Sequence, residues 1–156
     1  MSLGIGDRAP DFELLGTGDL TYSLASYRGQ SVVLVFYPGD DTPVCTKQLN
    51  NYNNDLDQFA DLGAQVLAIS AQSVSSHEKF SGKHGFQFPL LADPDKTVAG
   101  AYGTLGPLGF PRRSVFVIDA HGVIRYAHRA IAGLTYRSVD ELVEAVRVAN
   151  DATGQA

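Results

Sequence analysis

A run rich in β-branched and aromatic residues at 31–37 leads directly into a proline, and this junction constrains the fold most strongly. Such a run predicts a strand that is buried on both faces of a sheet. Beyond the junction, hydrophobic side chains recur at helical spacing, namely Cys45, Leu49, Tyr52, Leu56 and Phe59. The pattern therefore predicts a buried strand, a short loop and a helix that leaves from the carboxyl end of that strand.

The start of this helix is marked by Thr42 and Pro43. Thr42 fits the N-cap position, and Pro43 fits the first helical position, where a missing N–H costs nothing. Cys45 then lies in the first turn, where unpaired N–H groups and the positive end of the helix dipole favour a thiolate. Gly63 is well placed to end the helix. We therefore expect one helix from Pro43 to Gly63, with a reactive sulfur at its start.

The other elements mostly alternate between strands and helices. We predict strands at 11–15, 20–24, 64–70, 113–119 and 123–128, and helices at roughly 75–83 (ending near Gly85), 97–102 and 139–146. This order describes an α/β protein with a central mixed β-sheet and helices on both faces. A thioredoxin-like fold meets the description, although the order alone allows other three-layer folds. We expect residues 1–156 to form a single domain, with 150–156 as a flexible tail.

Composition narrows the classes of protein that this chain can belong to. The net charge is −5, and the lysines and arginines are scattered, which argues against a nucleic-acid or anionic-membrane partner. No stretch approaches the roughly 18 apolar residues of a membrane span, and the N-terminus lacks a basic-then-apolar signal. Cys45 is the only cysteine, so an internal disulfide and a multi-thiolate metal site are both excluded. We therefore expect a cytoplasmic, reducing environment.

Position at a helix start does not by itself make Cys45 reactive. A free thiol with a pKa near 8.5 is only about 3% thiolate at pH 7. The helix dipole contributes roughly 0.3–2 kcal/mol, whereas an arginine within a few ångströms lowers a pKa by about 1–3 units. A reactive Cys45 therefore requires a cationic partner. The plainer alternative is a small buried hydrophobic residue, which is the role of most lone cysteines.

Pro38, Thr42 and Cys45 match the Pro-x-x-x-Thr/Ser-x-x-Cys signature of the peroxiredoxins. The chain resembles this family, and most of all its bacterioferritin-comigratory (Q-type) branch. Further segments that resemble the family follow in the same order along the chain, at 6–12, 27–29, 88–93 and 113–119. The resemblance therefore covers almost the whole chain and implies a thioredoxin-like fold.

The resemblance also implies roles for individual residues and no metal or organic cofactor. Cys45 is expected to attack the peroxide, and Arg113 to keep the sulfur ionised and to stabilise the breaking O–O bond. Thr42 is expected to bond the sulfur or a peroxide oxygen, and Pro38 to shield the sulfur from water. Backbone N–H groups of Val44 and Cys45 are expected to bind peroxide oxygens. The plainer alternatives are an N-cap role for Thr42, a strand terminator role for Pro38 and a surface ion pair for Arg113.

Two positions depart from the family pattern. Asn50 occupies the position at which Q-type relatives with a nearby second cysteine carry that resolving cysteine. The resemblance therefore implies a one-cysteine enzyme, reduced by an external thiol: thioredoxin, glutaredoxin or a low-molecular-weight thiol. Gln48 replaces a glutamate that orients the active-site arginine in many relatives. We expect Gln48 to orient Arg113 without placing a negative charge beside the thiolate. The pKa of Cys45 is then lower if Arg113 stays in place, whereas Arg113 is held more loosely if it does not.

The implied activity is a thiol-dependent peroxidase that reduces hydrogen peroxide and small organic hydroperoxides, as a monomer or a homodimer. The alternative from another class is a redox sensor or interaction module that uses the same oxidation of Cys45. Phe36, Leu108 and Phe110 are candidates for an apolar mouth that suits organic hydroperoxides.

Other types of site fit the sequence poorly. His77 and His84 lie seven residues apart on one predicted helix, without a third metal ligand, and are expected on its solvated face. A Cys–His protease would need a histidine near Cys45 with an orienting Asn or Asp, and no local protease signature is present. Disulfide exchange of the thioredoxin type would need a Cys-x-x-Cys motif, but the fourth residue of that span is Gln48.

Overall fold

A computed structural model of the chain describes residues 3–106, 109, 111–130 and 136–153. Its strands are β1 (Glu13–Gly16), β2 (Leu20–Ser23), β3 (Val32–Phe36), β4 (Gln65–Ser70), β5 (Leu90–Ala92), β6 (Ser114–Ile118) and β7 (Ile124–Arg129). Its α-helices are α1 (Pro43–Asn54), α2 (Leu56–Ala60), α3 (Val74–His84), α4 (Thr97–Ala101) and α5 (Val139–Ala152). The predicted strands and helices appear in their predicted order, whereas the short strand β5 was not predicted.

The strands form one mixed sheet in the order β2-β1-β5-β4-β3-β6-β7. β3 pairs in parallel with β4 and antiparallel with β6, so it lies near the middle of the sheet. Every residue of β3 is buried, as expected for a strand that is covered on both faces. The sheet therefore carries the carboxyl end of β3, and the loop that follows it, next to the start of β6.

Alternation along β3 divides the core into two clusters. Val33 and Tyr37 belong to the cluster that contains Cys45 and side chains of α1, α2, α3 and α5. Val32 and Phe36 point to the other face, where they pack with α4 and the N-terminal segment. Helices therefore cover both faces of the sheet, and the predicted α/β, thioredoxin-like architecture is confirmed.

The helix that contains Cys45 ends earlier than the sequence predicts. The backbone of Asp55 leaves the helical conformation, with φ −109° and ψ 21°, so α1 ends before it and α2 is a separate short helix. The prediction of one helix up to Gly63 is wrong. Asn53 lies in an asparagine-rich segment of low helix propensity. Its side-chain amide donates a hydrogen bond to the carbonyl of Gly85 and accepts one from the N–H of Gln87, both after α3. These tertiary contacts hold the end of α1 against that loop.

The closing helix α5 is tied to the sheet by a buried amide. Asn150 accepts a hydrogen bond from Ser31 Oγ at 2.7 Å and donates one to the carbonyl of Leu62 at 2.9 Å.

α5 continues to Ala152, so it includes the first three residues of the segment 150–156 that the sequence predicts as a tail. In the part of the chain that the structure describes, no helix combines the length and the apolar character that crossing a membrane requires.

The turn between β6 and β7 depends on the buried carboxylate of Asp119. It accepts hydrogen bonds from the N–H groups of His121 and Val123 and, at 2.7 Å, from Nε of Arg125. Burial raises the pKa of Asp119, but these donors outweigh it and hold the pKa below the ordinary value of 3.8. The carboxylate therefore stabilises the fold fully above that ordinary value, and this stabilisation is lost as the pH falls through the lower folded-state pKa.

We expect Asp119→Asn to lower the free energy of unfolding by about 1–3 kcal/mol at pH 7. Because the wild-type carboxylate is protonated in strong acid, the difference between wild type and variant should shrink as the pH falls below 3.8 and through the lower folded-state pKa. Urea unfolding at neutral and acid pH measures both values, and the exposed substitution Asp95→Asn is the control. An equal difference at both pH values would contradict the assigned role of the carboxylate.

Candidate active site

Cys45 is the third residue of α1, and its side chain is fully buried. Thr42 precedes the helix with an extended backbone, as an N-cap residue does. The first intrahelical hydrogen bond runs from the N–H of Thr46 to the carbonyl of Thr42 at 2.9 Å. The N–H groups of Val44 and Cys45 come before this bond and thus have no acceptor within the helix. The predicted position of the sulfur in the first helical turn is confirmed.

The two signature residues before the cysteine lie on the surface side of the loop. Thr42 does not cap the helix with its side chain; its hydroxyl donates instead to the carbonyl of Gly39 at 3.0 Å. Pro38 is exposed and follows directly on buried Tyr37 at the end of β3. The N-cap position of Thr42 is confirmed, but the side-chain hydrogen bond expected of an N-cap is absent.

Arg113 places a guanidinium beside the sulfur of Cys45. It immediately precedes β6, which lies beside β3, and it is only 3% exposed. Its Nη2 donates to Sγ of Cys45 at 3.3 Å, while its Nη1 donates to Oε1 of Gln48 at 2.5 Å. Arg112, the preceding residue, is exposed, as alternation along an extended segment requires. One guanidinium thus contacts both the sulfur and the residue at the position of the family's glutamate.

Gln48 also contacts Tyr52, which the sequence pattern assigned only to the hydrophobic core. Nε2 of Gln48 donates to Oη of Tyr52 at 3.1 Å, and Oη donates to the carbonyl of Arg137 at 2.9 Å. Burial raises the pKa of Tyr52 to about 12, so its hydroxyl keeps the proton at neutral pH. The helical i, i+4 spacing of Gln48 and Tyr52 was the one available signal for this pair. The tyrosine oxygen, with its own proton already donated, accepts from an amide at position 48.

This arrangement favours an amide over a carboxylate at position 48. We expect Gln48→Glu to lower the thiolate fraction of Cys45 and its oxidation rate by about tenfold, equivalent to about 1.4 kcal/mol. The new negative charge would offset part of the positive field of Arg113, and Tyr52 would lose its donor. Thiolate absorbance at neutral pH and stopped-flow oxidation measure the two effects. The exposed substitution Gln58→Glu makes the same chemical change as a control, and a gain in thiolate for Gln48→Glu would contradict the prediction.

His77 is not on a solvated face: it is fully buried, and the prediction for it is wrong. Its Nδ1 lies 2.7 Å from a carboxylate oxygen of Asp40, and its Nε2 lies 2.9 Å from the carbonyl of Leu91. The helix pattern alone missed this burial because α3 packs on both β5 and the loop after β3. Among the described residues, no group of three His, Cys, Asp or Glu side chains is arranged to hold a metal ion.

His84 is half-buried, so it also departs from the expected solvated face. Its ring stacks on Phe86 with the ring centroids 5.5 Å apart, and its Nδ1 lies 3.4 Å from the amide nitrogen of Asn50. The position at which some relatives carry a resolving cysteine thus holds an amide packed beside a histidine.

The predicted apolar mouth is wrong for Phe36. This side chain is buried on the face of the sheet opposite Cys45, where it packs against Tyr102 and Phe116. The strand register decides the face, because residues at odd and even positions of β3 alternate. The other two candidates, Leu108 and Phe110, lie outside the described residues.

Comparison with known proteins agrees with this geometry. Residues 5–127 match the model of the AhpC/TSA family. The chain is 33% identical over 159 residues to peroxiredoxin Bcp of Bacillus subtilis, covering 97% of this chain and 98% of that protein. It is 35% identical over 125 residues to chloroplastic peroxiredoxin Q of Oryza sativa subsp. japonica, covering 79% of this chain. The match spans only 58% of the length of the plant protein.

Solved structures show the same fold. The crystal structure of peroxidoxin BcpB from Mycobacterium tuberculosis superposes with a TM-score of 0.85 at 30% sequence identity. The superposition covers 94% of this chain and 97% of that one. The resemblance inferred from Pro38, Thr42 and Cys45 is therefore confirmed. The chain belongs to the AhpC/TSA family, among relatives that are named peroxiredoxin Q and Bcp.

Proposed function

We propose that this protein is a thiol-dependent peroxidase in which Cys45 reduces hydrogen peroxide and small organic hydroperoxides. The observation that carries the proposal is the contact of 3.3 Å between Nη2 of Arg113 and Sγ of Cys45. A guanidinium at this distance favours the thiolate, which is the nucleophilic form of cysteine. Membership of a family whose relatives are named peroxiredoxins supports the same reaction.

In the first step the Cys45 thiolate attacks the terminal oxygen of the peroxide. The S–O bond forms as the O–O bond breaks, so the sulfur is oxidised to a sulfenic acid and the peroxide is reduced. The leaving oxygen departs as hydroxide or alkoxide and takes a proton to become water or an alcohol. Arg113 places positive charge beside these reacting atoms, where negative charge moves along the breaking bond.

The loop and the first helical turn provide further hydrogen bonds to the substrate. The N–H groups of Val44 and Cys45 have no acceptor within the helix, so we assign them to the peroxide oxygens. The hydroxyl of Thr42 donates to Gly39, which leaves its oxygen to accept a hydrogen bond from the peroxide O–H group. Pro38 is assigned to limiting the access of water to the sulfur.

The second half of the cycle requires an external thiol. Cys45 is the only cysteine in the sequence, so its sulfenic acid has no partner for an internal disulfide. An external thiol condenses with the sulfenic acid to a mixed disulfide and water, and a second thiol then releases Cys45 and an external disulfide. We propose thioredoxin, glutaredoxin or a low-molecular-weight thiol as this donor, in a reducing cytoplasm, acting on a monomer or a homodimer.

Turnover distinguishes the peroxidase from a redox sensor that uses the same oxidation. The protein, in catalytic amount, is mixed with excess hydrogen peroxide and in turn with thioredoxin, glutaredoxin and glutathione, each with its recycling system. We expect at least one donor to support many turnovers, with no intramolecular disulfide at any stage. Consumption that stops at one equivalent of peroxide with every donor would overturn the peroxidase proposal in favour of the sensor.

A further inference from the structure

Asp40, in the loop between β3 and α1, is the centre of a buried polar cluster. Its carboxylate accepts hydrogen bonds from Oη of Tyr37 at 2.6 Å and from Oγ of Ser76 at 2.7 Å. The same carboxylate lies 2.7 Å from Nδ1 of His77. The backbone N–H of Asp40 donates to the side chain of Gln72. One loop residue is therefore held by Tyr37, which directly follows β3, by α3 and by the segment between β4 and α3.

Both ring nitrogens of His77 lie within hydrogen-bond distance of an acceptor in this cluster. Its Nδ1 faces the Asp40 carboxylate, and its Nε2 faces the carbonyl of Leu91 at 2.9 Å, so each nitrogen meets an acceptor. Burial raises the pKa of Asp40, but donors from His77, Tyr37 and Ser76 outweigh it and lower the pKa below its ordinary value. The ionised carboxylate of Asp40 therefore accepts buried, charge-assisted hydrogen bonds.

The loop that this contact holds is otherwise unfavourable. Asp41 has φ 62°, a left-handed conformation that is uncommon for residues other than glycine. On either side of it lie the two signature residues, exposed Pro38 and Thr42. The bond from Thr42 Oγ1 to the carbonyl of Gly39 closes the loop on its surface side. On the buried side, the contacts of Asp40 hold the residue that directly precedes this left-handed position.

We propose that Asp40 and His77 are positioning residues that hold loop 38–42 in the conformation that peroxide reduction by Cys45 requires. The proposal rests on the proposed function, but it assigns a role to residues outside the signature. Asp40 and His77 act through Pro38 and Thr42, whereas Arg113 acts on the sulfur directly. Loss of the anchor should therefore impair the reaction with peroxide and leave the Cys45–Arg113 contact in place.

Asp40→Asn and His77→Gln test this division. In Asp40→Asn an NH₂ group replaces one carboxylate oxygen, so at least one donor of the cluster loses its acceptor. In His77→Gln a single side-chain amide cannot reach both Asp40 and Leu91, so at least one of these contacts is lost. We expect each variant to lose at least about tenfold in kcat/KM for hydrogen peroxide, since small misplacements of reacting groups cost factors of this size. The thiolate absorbance of Cys45 at neutral pH should stay at the wild-type level.

The double variant Asp40→Asn/His77→Gln shows whether the two residues act as one unit. If they do, the double variant loses no more activity than the worse single variant, because the contact is already broken. The control is His121→Gln, a matched change on an exposed turn, which should keep wild-type kcat/KM. Additive losses, unchanged kcat/KM or a parallel drop in thiolate absorbance would each overturn the proposal.

Two further measurements keep the inference testable whatever the variants do. If both single variants fail to fold, Ser76→Ala is measured instead, because it removes only one hydrogen bond from Asp40. A two- to threefold loss of kcat/KM would support the proposal, and no loss would overturn it. Amide hydrogen exchange at residues 39–42 reads the loop without any enzymatic assay. Faster exchange in Asp40→Asn supports the anchor even if the wild type shows no peroxidase turnover, and unchanged exchange contradicts it.

Discussion

Replacing Cys45 with serine is expected to lower the rate of peroxide reduction by at least about a thousandfold, to the level of the uncatalysed reaction. A serine hydroxyl stays protonated at neutral pH, even beside Arg113, and oxygen cannot form the sulfenic acid that stores the oxidising equivalent. The substitution is nearly isosteric, so the buried site should keep its packing. Stopped-flow fluorescence and steady-state peroxide consumption measure the loss.

The control for this variant is its folding, because Cys45 is part of the core cluster. Thermal unfolding and circular dichroism of Cys45→Ser should match the wild type within a few degrees. A folded Cys45→Ser protein that still turns over peroxide would show that the reaction takes place elsewhere, and the assignment of the site would then be wrong.

Arg113→Ala is expected to lower the second-order rate of Cys45 oxidation by at least about tenfold, because a neighbouring cation lowers a thiol pKa by about 1–3 units and the positive charge beside the breaking O–O bond is lost as well. The variant loses the charge beside Sγ and leaves the amide of Gln48 without its present donor. Thiolate absorbance at neutral pH should fall together with the rate. Both quantities are measured on the same reduced sample, by ultraviolet absorbance and by stopped flow.

Two further substitutions show which property of Arg113 matters. Lysine keeps the charge, but its single ammonium cannot reach Cys45 and Gln48 together as the guanidinium does, so Arg113→Lys should be intermediate. Arg112→Ala removes the exposed neighbouring arginine and should keep the wild-type rate. If Arg113→Ala leaves thiolate and rate unchanged, or if Arg112→Ala has the same effect, the proposed role of Arg113 fails.

Local sequence patterns were sufficient to predict strand β3 and the start of helix α1. The run at 31–37 predicted β3 because a continuous β-branched stretch is typical of a strand covered on both faces. Thr42 and Pro43 predicted the helix start, and with it the position of Cys45 in the first turn. The need for a cation followed from the weakness of the helix dipole, but its assignment to Arg113 came from the family resemblance.

Features that depend on contacts between distant segments could not be read from the sequence. The break at Asp55 comes just after Asn53, whose side-chain amide is hydrogen-bonded to the backbone of Gly85 and Gln87, and no helical periodicity encodes such contacts. His77 looked like a residue of a solvated face, yet the packing of α3 encloses it between Asp40 and β5. Tyr52 looked like a core residue, and only its hydrogen bonds to Gln48 and Arg137 connect it to the site.

The most direct test of the central claim is a single turnover followed by mass spectrometry of the intact protein. Reduced protein is mixed with one equivalent of hydrogen peroxide, treated with dimedone, and digested to locate the adduct. We predict one dimedone adduct per chain on Cys45, none in Cys45→Ser, and a return to the reduced mass when an external thiol is added before dimedone. Unmodified Cys45 after peroxide is consumed, or oxidation that no thiol reverses, would contradict the account.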